Sequence, residues 1–225
     1  MPACLERLTT VRLAGGMEII VADGGSTDGT LATVPDLPRF KTVRSTRGRA
    51  PQMNAGAAVS TGKYFWFLHA DTLPPTDWPV HLQNAARLGL PASFSLAFDG
   101  PDDSAALRFF ARGSRLNHWS VRFGDQSLFL SRRQFARSGG FRTDHRLMEG
   151  HEMVRRLTRQ NGGFHLLPAA VTTSARRYRR HGVVATQGIF TVIFFLYYAG
   201  VGQQQLERIY RRLFRFFDVA GRGDE

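Results

Sequence analysis

The segment EIIVADGGSTDGT, residues 18 to 30, decides how the fold is read. Its first half is an apolar run closed by Asp23, suited to a strand buried in a parallel sheet. Its second half is turn chemistry, with glycines 24, 25 and 29 set among small polar residues. Thr27 or Asp28 is placed to cap a helix starting there. Further on come FKTVRS (40–45) as a second strand, a basic loop TRGRA, and a helix PQMNAGAAVST opened by Pro51. KYFWFLHAD then reads as a third strand, central and buried on both faces, and PPTDWPVHLQNAARLG as another helix. Upstream, residues 3–13 have the apolar spacing of a helix through Leu5 and Leu8, ended by Gly15-Gly16. This alternation predicts one α/β domain with a mostly parallel sheet.

Downstream the pattern continues without repeats or linkers. SFSLAF (93–98) is a strand, DGPDD a turn, and 104–118 a helix. DQSLFLSRRQFARSGGF holds a short strand and a short helix, and LMEGHEMVRRLTRQNGG a helix ended by glycine. FHLLPAAVTTSARR is a late strand leading into a basic loop.

The 225 residues suffice for one sizeable core, and the net charge of +12 comes almost wholly from arginine, since Lys41 and Lys63 are the only lysines. Such an excess favours anionic partners: nucleotides, nucleic acid or an anionic membrane face. The arginines are scattered and no nucleic-acid motif is present, which leaves nucleic-acid binding a remote alternative. The single cysteine, Cys4, excludes a disulfide framework and fits a reducing compartment. With no signal-peptide pattern, a cytoplasmic location is expected. The run GIFTVIFFLYYAGV (188–201) falls short of the roughly 20 residues that span a bilayer, so it packs in the core or lies at a membrane interface.

Ligands of parallel sheets bind beyond the carboxyl ends of the strands. Two strands are expected to end there in aspartate, Asp23 and Asp71. Gly25 and its neighbours let backbone approach a ligand, and Ser26 adds a hydroxyl. Alone, DGGSTDGT is a plain turn; paired with a second edge aspartate it favours a site. GAAVSTGKY (56–64) is no phosphate-binding P-loop. Its spacing is one residue too long, Tyr64 replaces the required hydroxyl residue, and it precedes a strand.

EIIVADGGSTDGT, RGRAPQMNAGAAVSTG and YFWFLHADT together resemble the family 2 glycosyltransferases with the GT-A fold. The likeness is strongest to a small bacterial subgroup reading DGGSTDGT, RGRxxQMNxGA and FLHADT. GDQSLFLSRRQF (124–135), GGF (139–141), LME (147–149), RRL (155–157) and TTSARRYRRHG (172–182) extend it from residue 17 to about 212. The resemblance implies a Rossmann-like transferase domain over residues 1–187, apolar and basic helices over 188–217 packed on it or at a membrane interface, and a flexible tail from 218 to 225. It implies transfer of a sugar from a nucleotide-diphosphate donor to an unknown acceptor, lipid or carotenoid-like if the interface reading holds. It also implies inversion and dependence on Mg²⁺ or Mn²⁺. Asp71 would hold the metal, with His69 and Ala70 completing the HAD motif against ribose, metal or diphosphate. Asp23 would contact the base, Asp28 would shape the turn, and Arg49, Gln52 and Asn54 would line the nucleotide pocket. Arg47 could also reach phosphate, Arg176 and Arg177 would cover the diphosphate, and Asp125 and Gln126 would face the acceptor.

The chain departs from this pattern twice. The subgroup reads LMED where this chain reads LMEGHEM, so Glu149 is kept and Gly150 replaces the aspartate. Glu149 or Asp125 is then the expected base, with Glu152 or a recruited His151 as alternatives and a catalytically weak nucleotide-sugar-binding relative as the other outcome. Family members also begin with a strand like SVIIPxxNE, whereas this chain starts inside the helix that follows. A missing first strand would leave two sheet edges open, which makes a homodimer or a rearranged N-terminus an expectation to examine.

Overall fold

A computed structural model describes residues 1–11, 16–99 and 105–220. Gly15, the part of the DGPDD turn beyond Asp99 and the GRGDE tail lie outside the described residues.

Helix α1 (Pro2–Thr9) buries Cys4, Leu5 and Leu8 along one face. Strands β1 (Ile19–Asp23) and β2 (Phe40–Arg44) pair in parallel, Ile19 opposite Phe40 and Asp23 opposite Arg44. Between them the sequence predicted a helix, and the chain makes only a 3-10 turn over Thr30–Thr33. The reason is local. Asp28 accepts from the Thr30 N–H at 3.1 Å and from the Thr30 hydroxyl, an Asx-type closure, and Gly29 enters the turn at φ 75°. Helix α2 (Arg49–Val59) follows, with Pro51 in its first turn as expected.

The second sheet contains β3 (Tyr64–Phe67), β4 (Thr72–Leu73), β5 (Ala92–Phe98), β6 (Leu128–Ser131) and β7 (His165–Thr173), in the order β3-β6-β5-β7-β4. It is mixed: β5 and β7 run parallel, while β3 with β6, β5 with β6 and β4 with β7 are antiparallel. The expected predominance of parallel pairing therefore does not hold for this sheet. YFWF is an edge strand, with Tyr64 exposed, and it stops at Phe67 where the register with β6 runs out. His69, Ala70 and Asp71 thus stand on the connection to β4, not on a central strand. Among the described residues β1 pairs with β2 alone, so the two sheets share no ladder.

Helices α3 (Trp78–Leu88), α4 (Ala105–Gly113), α5 (Arg132–Ser138) and α6 (Glu149–Asn161) complete the domain. α5 starts on a capping box, Ser131 accepting from the Gln134 N–H while Gln134 reaches back to Ser131. The main core joins Phe94 and Leu96 of β5 to Trp78, Leu82, Leu167 and Val171, and Trp66 stacks on Trp78 at 5.1 Å. A second cluster packs Ala57 and Phe65 against Leu130, Phe141, Met153 and Leu157. Full burial of each such large side chain contributes about 1.5–3 kcal/mol. The chain ends in α7 (Arg176–His181), α8 (Val183–Tyr198) and α9 (Gln203–Ala220). α8 and α9 close on each other through Ile189, Ile193 and Leu206. No described helix is long and apolar enough to cross a membrane.

Candidate functional site

Four separate segments bring ionisable groups to one place. The β3–β4 connection supplies His69 and Asp71, the start of α2 supplies Arg49, a 3-10 turn over Gly124–Gln126 supplies Asp125, and the start of α6 supplies Glu149. His69 feels the charges of Arg49, Asp125, Asp71 and Glu149 together, which places all five in one electrostatic cluster.

Glu149 is 2% exposed, and its Oε1 accepts from Arg49 Nη1 at 2.9 Å. Its Oε2 is buried without a hydrogen-bond partner, as is Asp125 Oδ1. A buried carboxylate oxygen without a partner is costly and calls for a reason. Burial pushes the Asp125 carboxyl above the ordinary range, against the pull of His69 and Arg49. Burial also lowers the His69 imidazole, and Arg49 adds to it, so His69 is held neutral. Loss of water around part of the Arg49 guanidinium works against its charge, although about half of the side chain stays exposed, and Glu149 outweighs that loss.

Backbone contact sets this geometry. Gly150 lies so close to Gly124 that a Cβ on it would fall 2.7 Å from the Gly124 Cα. A Cβ on Gly124 would in turn fall 3.2 Å from His69 Nε2. The glycine standing where the subgroup has aspartate is thus a packing residue that lets the two carboxylate-bearing loops touch. Met148 at φ 65° and Ser127 at φ 64° flank the same contact, in a region that side chains other than glycine seldom occupy.

The other expected site residues are placed as follows. Asp23 holds its own loop, accepting from the N–H groups of Gly25 at 3.1 Å and Ser26 at 3.1 Å. The Ser26 hydroxyl and these N–H groups hold its carboxyl below the usual range. Asp28 is likewise lowered by the Thr30 hydroxyl and N–H. Gln52 donates to the Ala22 carbonyl at 2.8 Å, tying α2 to the end of β1. Asn54 bridges α2 to the GGF turn, donating to the Phe141 carbonyl at 2.8 Å and accepting from its N–H at 2.9 Å. Ala70, Asp71, Arg47, Arg176 and Arg177 are exposed.

The two alternative bases are engaged in other bonds. His151 is 1% exposed, with Nδ1 2.9 Å from the Arg122 carbonyl and Nε2 2.7 Å from the Tyr198 hydroxyl. The carbonyl can only accept, so the ring carries its proton on Nδ1 and accepts from Tyr198 on Nε2, inside a cage of Trp119, Phe123 and Phe194. Glu152 is committed to Arg156 at 2.7 Å and 3.0 Å.

Sequence reasoning missed Arg122. It is 1% exposed and donates to the Ser114 carbonyl, to the Leu116 carbonyl at 2.6 Å and to Gln126 Oε1 at 2.9 Å. Desolvation lowers it to about 10. These bonds fix the loop on which Asp125 sits, and no motif or periodicity marks the residue.

A divalent ion was expected at Asp71. Among the described residues no group of three or more histidine, cysteine or acidic side chains gathers as a complete metal cage. The Asp71 carboxylate would suit Mg²⁺ or Mn²⁺ only with phosphate oxygens and water completing the shell, since such ions take one or two carboxylates. Asp71 is exposed at the cluster and Asp125 keeps a buried oxygen without a partner.

Comparison with solved structures finds the same architecture. A mannosyltransferase, PcManGT from Pyrobaculum calidifontis, in complex with GDP-Man and Mn²⁺, superposes with a TM-score of 0.58 at 22% identity, over 85% of this chain and 60% of that one. TarS of S. aureus, residues 1–349 with UDP, gives 0.58 at 12% identity, over 94% of this chain and 65% of that one. TarS with UDP-GlcNAc gives 0.57 at 12% identity. The chain therefore spans somewhat less than two thirds of the length of these structures, and at such identities the likeness carries the GT-A fold alone. None of the curated proteins matches the chain. Residues 2–140 match the family described as Glycosyl transferase family 2, which is more than half of the 225 residues, and the chain belongs to that family.

Proposed function

We propose that the protein transfers a sugar from a nucleotide-diphosphate donor to an acceptor, with inversion at the anomeric carbon and with a divalent cation at Asp71. The observation that carries the reading is the cluster itself: His69, Asp71, Asp125, Glu149 and Arg49 share one site, and two carboxylates there keep an unpartnered buried oxygen. Mg²⁺ or Mn²⁺ bound by Asp71 would offset charge on the departing diphosphate.

The chain's own residues supply the rest. Asp125 takes the proton of the acceptor hydroxyl as its oxygen attacks, because a carboxyl raised toward neutrality by burial is the better general base. Glu149 holds the Arg49 guanidinium at 2.9 Å and keeps a positive group against the incoming phosphates. His69, kept neutral, packs on Gly124 and fixes the turn that presents Asp125. Asp23 shapes the DGGS loop, whose backbone is then free to approach the nucleotide.

The test is turnover of GDP-mannose and UDP-GlcNAc with Mn²⁺, scored as nucleotide release, in the wild type, Asp71→Ala and Asp125→Asn. Both variants should lose at least about 100-fold in rate, the usual weight of a general base or of a group stabilising the leaving charge. Full activity in Asp71→Ala would remove the metal role, and full activity in Asp125→Asn would pass the base to Glu149.

A further inference from the structure

We propose that the cleft between α7 and α9 binds a phosphate group carried by the acceptor, an assignment that rests on the transfer reading above. The cleft has a volume of about 320 Å³ and is lined by Arg177 and His181 from α7 and by Tyr210, Arg211, Phe214 and Arg215 from α9. Ligand pockets begin at about 300 Å³. There is room for a phosphate and the first atoms attached to it, and the cleft opens to solvent beyond them.

Its walls are built for an anion. The Arg177 guanidinium rests on rings, 5.3 Å from Phe214, 5.8 Å from Phe190 and 5.9 Å from Tyr210. Among the described residues no carboxylate pairs with Arg177 or Arg215. Arg211 shares Glu207 with Arg146, at 2.5 Å and 2.6 Å, so one carboxylate serves two arginines and the cleft keeps a positive excess. Stacking on aromatic faces orients a guanidinium while leaving its N–H edge open, and that edge matches phosphate oxygens in pairs.

The position joins the cleft to the reacting groups. Tyr210, in its wall, is near enough to Arg49 to bear on that residue's charge, and Tyr178 of α7 is similarly linked to Asp125. An acceptor anchored by phosphate between α7 and α9 would extend toward the side of the molecule that carries Arg49. The phosphate could belong to a soluble phosphomonoester or to a lipid, and the two are separated by the probe.

The experiment measures phenyl phosphate by calorimetry, and vesicles of phosphatidylcholine with and without phosphatidic acid by co-sedimentation. Each probe is applied to the wild type, Arg215→Gln and the Arg211→Gln/Arg215→Gln pair. The expected result is binding of phenyl phosphate, or of phosphatidic-acid vesicles alone, weakened by about tenfold or more for each charge-assisted bond lost. Phenyl phosphate binding assigns a soluble acceptor, and vesicle binding alone assigns a lipid phosphate. Affinity for GDP or UDP with Mn²⁺ should stay within about twofold, since the substituted arginines are not donor contacts. Absence of both binding modes in the wild type, or unchanged binding in the paired variant, overturns the proposal. A parallel loss of GDP or UDP affinity also overturns it, by giving the cleft to the donor. Phosphate binding in a protein that turns over no nucleotide sugar would reject the transfer reading while leaving the anion site standing. Arg215 is exposed, so its replacement leaves the core intact, and unfolding midpoints of all variants verify this.

Discussion

Replacement of Gly150 by alanine sets two effects of opposite sign against each other. In the first turn of α6, alanine is the better helix former, by up to about 1 kcal/mol relative to glycine. Against that, the new Cβ would sit 2.7 Å from Gly124 Cα and 2.9 Å from its nitrogen. Carbon atoms rest at about 3.5–4.0 Å, so the 123–127 loop would have to withdraw by roughly 1 Å. Both contacting atoms are backbone, and no rotamer change relieves them. The loop is also hemmed in, because Gly124 packs on His69 and Arg122 anchors the segment by its bonds to Ser114, Leu116 and Gln126. Overpacking of this kind costs about 1–3 kcal/mol. The steric term wins, for a net loss of about 1–2 kcal/mol, or about 2–8 °C in Tm for a domain of this size.

Function should suffer more than stability. Asp125 lies on the displaced loop, and if it acts as the proposed base, a 1 Å misplacement costs about 100-fold in rate. The assays are urea unfolding, and nucleotide release measured well below the melting temperature. Gly150→Asp, which writes the subgroup's residue into this chain, carries the same Cβ plus a carboxylate and should lose still more stability. A variant Gly150→Ala as stable as wild type or more so, with unchanged kcat/KM, would refute the close contact and with it the reason for the glycine.

Asp71→Ala should abolish Mn²⁺-stimulated turnover and leave the unfolding midpoint unchanged, because the side chain is exposed. Asp125→Asn should slow turnover but stabilise the metal-free protein. A carboxyl raised by burial adds stability that is present at low pH and lost as pH rises through its folded pKa, so the gain should appear at neutral pH and vanish near pH ~4, as urea unfolding across pH will check. Asn54→Ala should cost about 2 kcal/mol for two lost backbone bonds while nucleotide affinity stays unchanged; a selective loss of affinity would instead favour a nucleotide contact. Met148→Gly should stabilise by about 1 kcal/mol in thermal unfolding by relieving its left-handed backbone.

The sequence made one side of the site legible, and the reason is physical. Asp23 does end a strand and turns into its own loop, as the local pattern suggested, whereas Asp71 lies on the connection after β3 and not at a strand end. Partnership is not local. Nothing in YFWF distinguishes an edge strand from a central one, since an apolar run records burial and not which strand lies alongside; the antiparallel β6 comes from more than sixty residues further on. The missing helix after Asp28 shows local rules in conflict, where an Asx closure outcompeted the helix cap that the same residues suggested. Asp125 and Glu149 were expected from the resemblance, whereas their meeting depends on two glycines whose contact no spacing encodes. Arg122 was invisible for a related reason: a buried arginine in irregular chain, satisfied by carbonyls, leaves no pattern in composition or period.

Among the described residues nine buried side-chain atoms lack a hydrogen-bond partner, and three of them lie on the two loops that carry Asp125 and Glu149. Arg122 Nε, Asp125 Oδ1 and Glu149 Oε2 are buried without partners, and Ser127 and Met148 hold left-handed backbone. All five fall in the segments 122–127 and 148–150, which touch at Gly124 and Gly150. Each is destabilising by about 1–3 kcal/mol. Natural chains carry such features where the surrounding packing over-determines them, and here Arg122, His151 and the aromatic cage around it supply that constraint. His151 ties the start of α6 to the carbonyl of Arg122 and to Tyr198 of α8, so the two loops cannot separate without breaking bonds inside an apolar shell. Relaxing either loop would be easy by mutation, as Met148→Gly illustrates. The strain is therefore best understood as holding two carboxylates and one arginine in a geometry that the chain would leave if packing allowed it, and that geometry is the one the proposed proton transfer would use.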